Sequence, residues 1–205
     1  MAQTLQPLPQ SGLSLYPGYL ATKPENFHVK GRKAFSDKAS HLISNASPSG
    51  EALTPFLEIV QDKKGTIIFK TLRGEEVMRI VKEVVIWSGK TTYRGSKADG
   101  VEMWNLRLKT TLRRTEYNVK FIDTSLSATQ IQVQNKVSDA EKGILINGQP
   151  GATMSRQGKW EHLHRVDLVN VAPGMDILLA LGVNWIRADK QNEDKNLIVA
   201  AVTSL

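Results

Sequence analysis

The sequence predicts an all-β fold, a closed antiparallel β-barrel with one buried helix near its C-terminal end. The centre of the chain is a succession of short alternating runs divided by Asp- and Gly-bearing turns, and one late segment is apolar on every helical face. Length and composition bound the answer. At 205 residues, with 40% hydrophobic and 23% charged, the chain can build a single core and is too balanced for disorder or a coiled coil. Cysteine is absent, which excludes a disulfide framework, a thiolate metal site and a cysteine nucleophile.

Met1–Pro24 carries Pro7, Pro9, Pro17 and Pro24 with Gly12 and Gly18, and reads as a Pro-rich extended arm rather than a packed element. Phe27–Phe35 reads as a first strand. Lys38–Leu53 is Ser-rich, contains Ser47-Pro48-Ser49-Gly50, and reads as a loop or insertion. Hairpins follow. Phe56–Val60, the turn Asp62–Gly65 and Thr66–Phe69 make one, since Asp and Gly adopt turn conformations that β-branched residues resist. Lys90–Arg94, Lys97–Gly100 and Val101–Lys109 make another. In its last strand Trp104, Leu106 and Leu108 alternate with Asn105, Arg107 and Lys109, which marks a sheet with one buried face. Thr115–Ile122, Thr129–Val137, Gly143–Asn147 and Trp160–Val171 are further strands. Between the hairpins, Val77, Ile80, Val81, Val84 and Val85 fit a helical stripe, although β-branched residues favour strands.

Pro173-Gly174 ends the last strand, and Asp176 stands where a helix begins. Ile177–Ile186 then places apolar side chains on all sides. A helix of that kind is buried all round, and a closed barrel is one way for strands to surround it. Arg187, Lys190 and the polar run to Asn196 read as its end. The apolar runs Val171–Ile186 and Leu197–Val202 are both shorter than the ~20 residues of a membrane-spanning helix. Met1–Gln10 has neither a basic region nor an apolar run of a secretory signal, so the expectation is a soluble, cytoplasmic protein.

Val171-Ala172-Pro173-Gly174-Met175-Asp176, followed by Leu179-Ala180-Leu181, resembles the closing signature of the LURP-one-related family. That family shares its fold with the tubby C-terminal domain and the phospholipid scramblases. Leu57–Phe69, Lys82–Trp87, Tyr93-Arg94-Gly95 and Glu102–Lys109 are similar to the family's hairpins in order, and the likeness runs over Tyr16–Lys190. It implies a barrel of about twelve antiparallel strands around a central hydrophobic helix. It also places a strand, not a helix, at Val77–Val85. Residues 25–190 would form the barrel, with 1–24 as the arm and 191–205 as a tail. The stretch 38–53 departs from the family's short turn there, and the tail run Leu197–Val202 would add a strand, extend the helix or cover a barrel end.

Lys plus Arg exceed Asp plus Glu, 27 to 20, for a net charge of +7, which favours an anionic membrane face or nucleic acid. The cations gather on the central hairpins. Lys90, Arg94, Arg107, Lys109, Arg113 and Arg114 are the candidate headgroup ligands, with Lys63, Lys64, Lys97 and Lys120 nearby in sequence. Arginine offers bidentate donors to phosphate and lysine a point charge. The plain alternative is the solvated outer face that any barrel must have. Tubby domains bind phosphoinositides through basic residues, so the resemblance implies anionic phospholipid as partner.

No catalytic pattern is present. There is no Gly-x-Ser-x-Gly elbow and no P-loop, and the adjacent Glu75 and Glu76 point to opposite faces of a strand. His162 and His164 share a strand face but lack a third ligand there, so a metal site is not expected. The expectation is a non-enzymatic binding module without cofactor. A protein scaffold using the arm or tail is the alternative. Nucleic-acid binding ranks lower because the basic strands offer few aromatic stacking platforms.

Overall fold

The structure is a computed structural model that describes residues 5–9, 12–31, 41–63, 65–85, 90–110, 115–134, 143–156 and 166–203. Besides a single 3₁₀ turn at Thr124–Leu126, the described residues form twelve strands and one α-helix. In order they are β1 (Glu25–Gly31), β2 (His41–Ala46), β3 (Ala52–Lys63), β4 (Thr66–Thr71), β5 (Glu76–Val85) and β6 (Lys90–Ser96). Next come β7 (Glu102–Thr110), β8 (Thr115–Phe121), β9 (Ile131–Val133), β10 (Gly143–Ile146), β11 (Gln149–Arg156), β12 (Val166–Val171) and α1 (Ile177–Thr203). Each strand pairs antiparallel with its sequence neighbours, and β1 closes the ring on β12 through Glu25↔Val171 to Lys30↔Val166. Closure leaves no sheet edge along the paired length, which removes a template for aggregation.

Alternation fills the interior. Phe27, Ile43, Leu57, Phe69, Met78, Tyr93, Leu106 and Val169 all point inward and are buried. The first part of α1 runs through them. Gly182 faces Ile80, Met78 and Trp104 on one side, while Leu181 and Trp185 face Ile43, Ile67 and Val169 on the other. The helix is therefore enclosed, as its uniformly apolar surface predicts. No helix among the described residues is long and apolar enough to cross a membrane.

Three expectations change, and one strand is added. The arm is packed, not extended into solvent: Leu5, Leu8, Leu13, Leu15, Tyr16 and Ala21 are buried against the end of the barrel where α1 starts. Asp176 is the clamp. Its Oδ2 accepts from the backbone N–H groups of Leu15 and Tyr16, each at 2.8 Å, and its Oδ1 accepts from Leu179 N–H at 2.9 Å. The Ser-rich stretch 38–53 contributes a full strand, β2, paired on both sides. β11 is the added strand, in a segment given no element from the sequence; Pro150 lies beside a bulge in the β10 pairing, where a missing N–H is tolerated. Lastly, α1 does not stop at Arg187 or Lys190. It continues to Thr203, because no proline or glycine follows Gly182 to break it. β5 is a strand throughout, against its helical periodicity and in agreement with the resemblance.

Candidate functional site: a basic groove on the outer barrel wall

The strands β6, β7 and β8 lie side by side. Pairings Tyr93↔Leu106 and Leu106↔Val119 turn these residues toward the core, so their neighbours point outward. Across the outer face, Thr92, Arg107 and Asn118 stand in one row. Lys109 pairs with Glu116 in the row above, and Asn105 pairs with Lys120 in the row below. Lys90 starts β6 at the upper end. Between these side chains runs a groove of about 590 Å³, lined chiefly by Lys90, Asn105, Arg107, Lys109, Asn118 and Lys120.

The charges in it are poorly neutralised. Lys109 Nζ lies 3.9 Å from Glu116 Oε2 and remains well exposed. Lys90, Arg107 and Lys120 make no ion pair among the described residues. Four cations thus converge on one concave surface with one distant carboxylate, and two amides supply neutral donors between them. Chemically, this arrangement suits a multivalent oxyanion: arginine gives a planar fork, the lysines give point charges, and the amides fill remaining lone pairs.

Three of the six candidate ligands, Lys90, Arg107 and Lys109, come together here. Arg94 does not line the groove. It bonds Glu83 at 2.9 Å and reaches Glu102 at 4.0 Å on the same outer face. Arg113 and Arg114 lie outside the described residues, as do Lys64, His162 and His164. Asn105 and Asn118 were not singled out in the sequence. An amide on an outward strand position carries no signal of its own, and only the β7–β8 register brings the two into one groove.

At the same end of the barrel, β5 outruns β4. Thr66, the first residue of β4, pairs with Val81, and Glu83, Val84 and Val85 pair with β6. Val84 and Val85 therefore stand 55% and 51% exposed, with Val85 directly opposite Lys90. Lys82 marks the point where α1 leaves the barrel. Its Nζ bonds Asp189 Oδ2 at 2.9 Å and also bonds Glu193. Burial works against the Lys82 charge, but these two carboxylates more than offset it and hold its pKa above the ordinary value.

The sequence matches no protein-family model, and no curated protein matches it. Among solved structures, the X-ray structure of a protein from Arabidopsis thaliana is similar in fold. It aligns with a TM-score of 0.54 at 13% identity, covering 88% of this chain and 99% of that one. The closed barrel with its single C-terminal helix is thus an architecture already seen in a crystal.

Proposed function

We propose that this chain is a non-enzymatic binding module of the LURP-one-related type that recognises anionic phospholipid headgroups, phosphoinositides first, at a membrane surface. The observation that carries the reading is the outer groove, where Lys90, Arg107, Lys109 and Lys120 share one face and only Lys109 has a carboxylate within reach. The exposed Val85 directly opposite Lys90 favours a bilayer over a free anion, because a surface apolar side chain gains from the headgroup–acyl boundary. Basic contacts to an anionic leaflet contribute about 1 kcal/mol per residue near the surface and weaken with salt. Against the arm as a docking segment, Leu5, Leu8, Leu13 and Leu15 are buried against the barrel.

Co-sedimentation with vesicles tests this. Vesicles containing phosphoinositide should pellet the protein at low salt and less so at physiological salt, while neutral vesicles should not. Arg107→Ala with Lys109→Ala should lower pelleting about tenfold or more, matching the ~1–3 kcal/mol of two charge-assisted contacts. Equal pelleting by the altered and unaltered chains would sink the assignment to this face. Equal pelleting by every anionic lipid would reduce it to charge attraction alone.

A further inference from the structure

Inward positions of a barrel strand are ordinarily apolar, and at one end of this barrel that rule breaks on three strands together. On β2 the inward series runs from Ile43 to His41, on β3 from Ile59 to Gln61, and on β12 from Val169 to Asp167. The change occurs at the end where α1 emerges. The helix also turns polar in that direction, from Leu181 through Asn184, Trp185 and Ala188 to Asp189 and Asn192. Between helix and wall lies a cavity of about 180 Å³, apolar along its inner length and polar at its outer end. A single water needs only about 10–15 Å³ by this measure, so the space suits a molecule of several heavy atoms.

Asn184 gives an independent sign that something is received here. It is 2% exposed, and its Oδ1 accepts from Arg187 Nη1 at 3.0 Å. Its Nδ2 has no hydrogen-bond partner among the described residues. A buried amide donor left unmet is costly, and an acceptor atom entering the cavity would meet it. Which acceptor is decided by charge. Asp167 and Asp189 line the cavity, but Lys82 bonds Asp189 and the buried Arg187 bonds Asn184, so the charges there are balanced and no anionic head is called for. An ammonium head suits the carboxylates but has no lone pair for Nδ2. A hydroxyl or primary amide does both, accepting from Asn184 and donating to a carboxylate.

We infer that this cavity binds a small neutral amphiphile, an aliphatic body of several carbons ending in a hydroxyl or amide. The cavity shares no lining residue with the outer groove, so the site is independent of the lipid reading.

The test is a titration of the full chain with hexanol, hexanamide, hexanoate and hexylamine, read by side-chain amide NMR and by thermal melting. Hexanol or hexanamide should shift the Asn184 amide pair saturably and raise the Tm, and hexanoate should do neither. Ala188→Leu, which fills the cavity, should abolish the shift while vesicle pelleting is retained. Asn184→Asp keeps the acceptor for Arg187 and removes the donor, and should weaken binding about tenfold. Failure of both neutral probes, or hexanoate binding as well as hexanol, would overturn the proposal. Should Ala188→Leu fail to fold, a brominated alcohol soaked into crystals of the unaltered chain decides: density between α1 and β2 supports the site, and density elsewhere or none refutes it.

Discussion

Gly95 shows how one missing side chain positions the core. A Cβ built there would sit 2.1 Å from Trp104 Cε2 on the paired strand, and Trp104 is completely buried. The indole is pinned as well, because its Nε1 donates to the Tyr16 hydroxyl at 3.1 Å. Neither ring nor backbone has room to yield. Gly95→Ala should therefore cost about 3 kcal/mol, at the upper end of overpacking effects. Combining it with Trp104→Leu should recover part of that loss in a double-mutant cycle of denaturant unfolding. Strict additivity would mean that the two residues do not clash. A second residue carries a pH signature. Burial pushes Asp176 up to about 6 from an ordinary 3.8, with the N–H groups of Leu179, Tyr16 and Leu15 pulling the other way. A carboxyl raised in the folded state stabilises that state when protonated. Its contribution is full below about pH 4 and is lost as pH rises toward 6, by about 3 kcal/mol in all. The stability of the unaltered chain minus that of Asp176→Asn should fall by that amount between pH 4 and pH 7. A difference that grows with pH would mean that the three donors outweigh burial.

At the scale of elements, α1 divides into an enclosed half and an emergent half. Up to Ala188 its residues are mostly buried, whereas Asp189–Glu193 are half-buried or exposed. Lys82 ties the emerging turn to β5 through Asp189 and Glu193, with its Nζ 5.4 Å from the Tyr93 ring centroid. Lys82→Met keeps the stem and removes the charge. It should lower local stability by about 1–2 kcal/mol, since the pair is neither fully exposed nor fully buried. Hydrogen exchange should quicken for amides around Asp189–Glu193 and stay unchanged around Leu178–Val183. Uniform acceleration would instead place Lys82 in the global fold. The helix also shows where sequence legibility ends. Its enclosed half was readable because every face is apolar. Its emergent half was not, because Arg187 and Lys190 look like terminal cations while nothing in the chain breaks the helix. Hairpins β3–β4 and β6–β7 were readable from their Asp- and Gly-bearing turns. β2 and β11 were not, since serine, proline and glycine describe local preference while pairing on both sides decides the outcome.

Over the whole molecule, the outer groove was half legible. Alternation in β7 put Arg107 and Lys109 on the wet face, but the join to Lys120, Asn105 and Asn118 needs the lateral register of three strands. The cavity polarity was not legible at all, because His41, Gln61 and Asp167 lie far apart in sequence and meet only when β1 closes on β12. That closure, and the threading of α1, set an order of events during synthesis. In chain order the helix follows every strand, yet it occupies the centre they surround. The strands cannot settle around a core that has not left the ribosome, and the arm cannot seat until Asp176 exists to hold Leu15 and Tyr16. Contacts between the two ends of the chain make such folding slow and leave earlier hairpins exposed meanwhile. The molecule is thus a vessel that can be closed only after its last part is delivered, and a nascent chain halted before Ile177 should be a client for chaperones rather than a folded barrel.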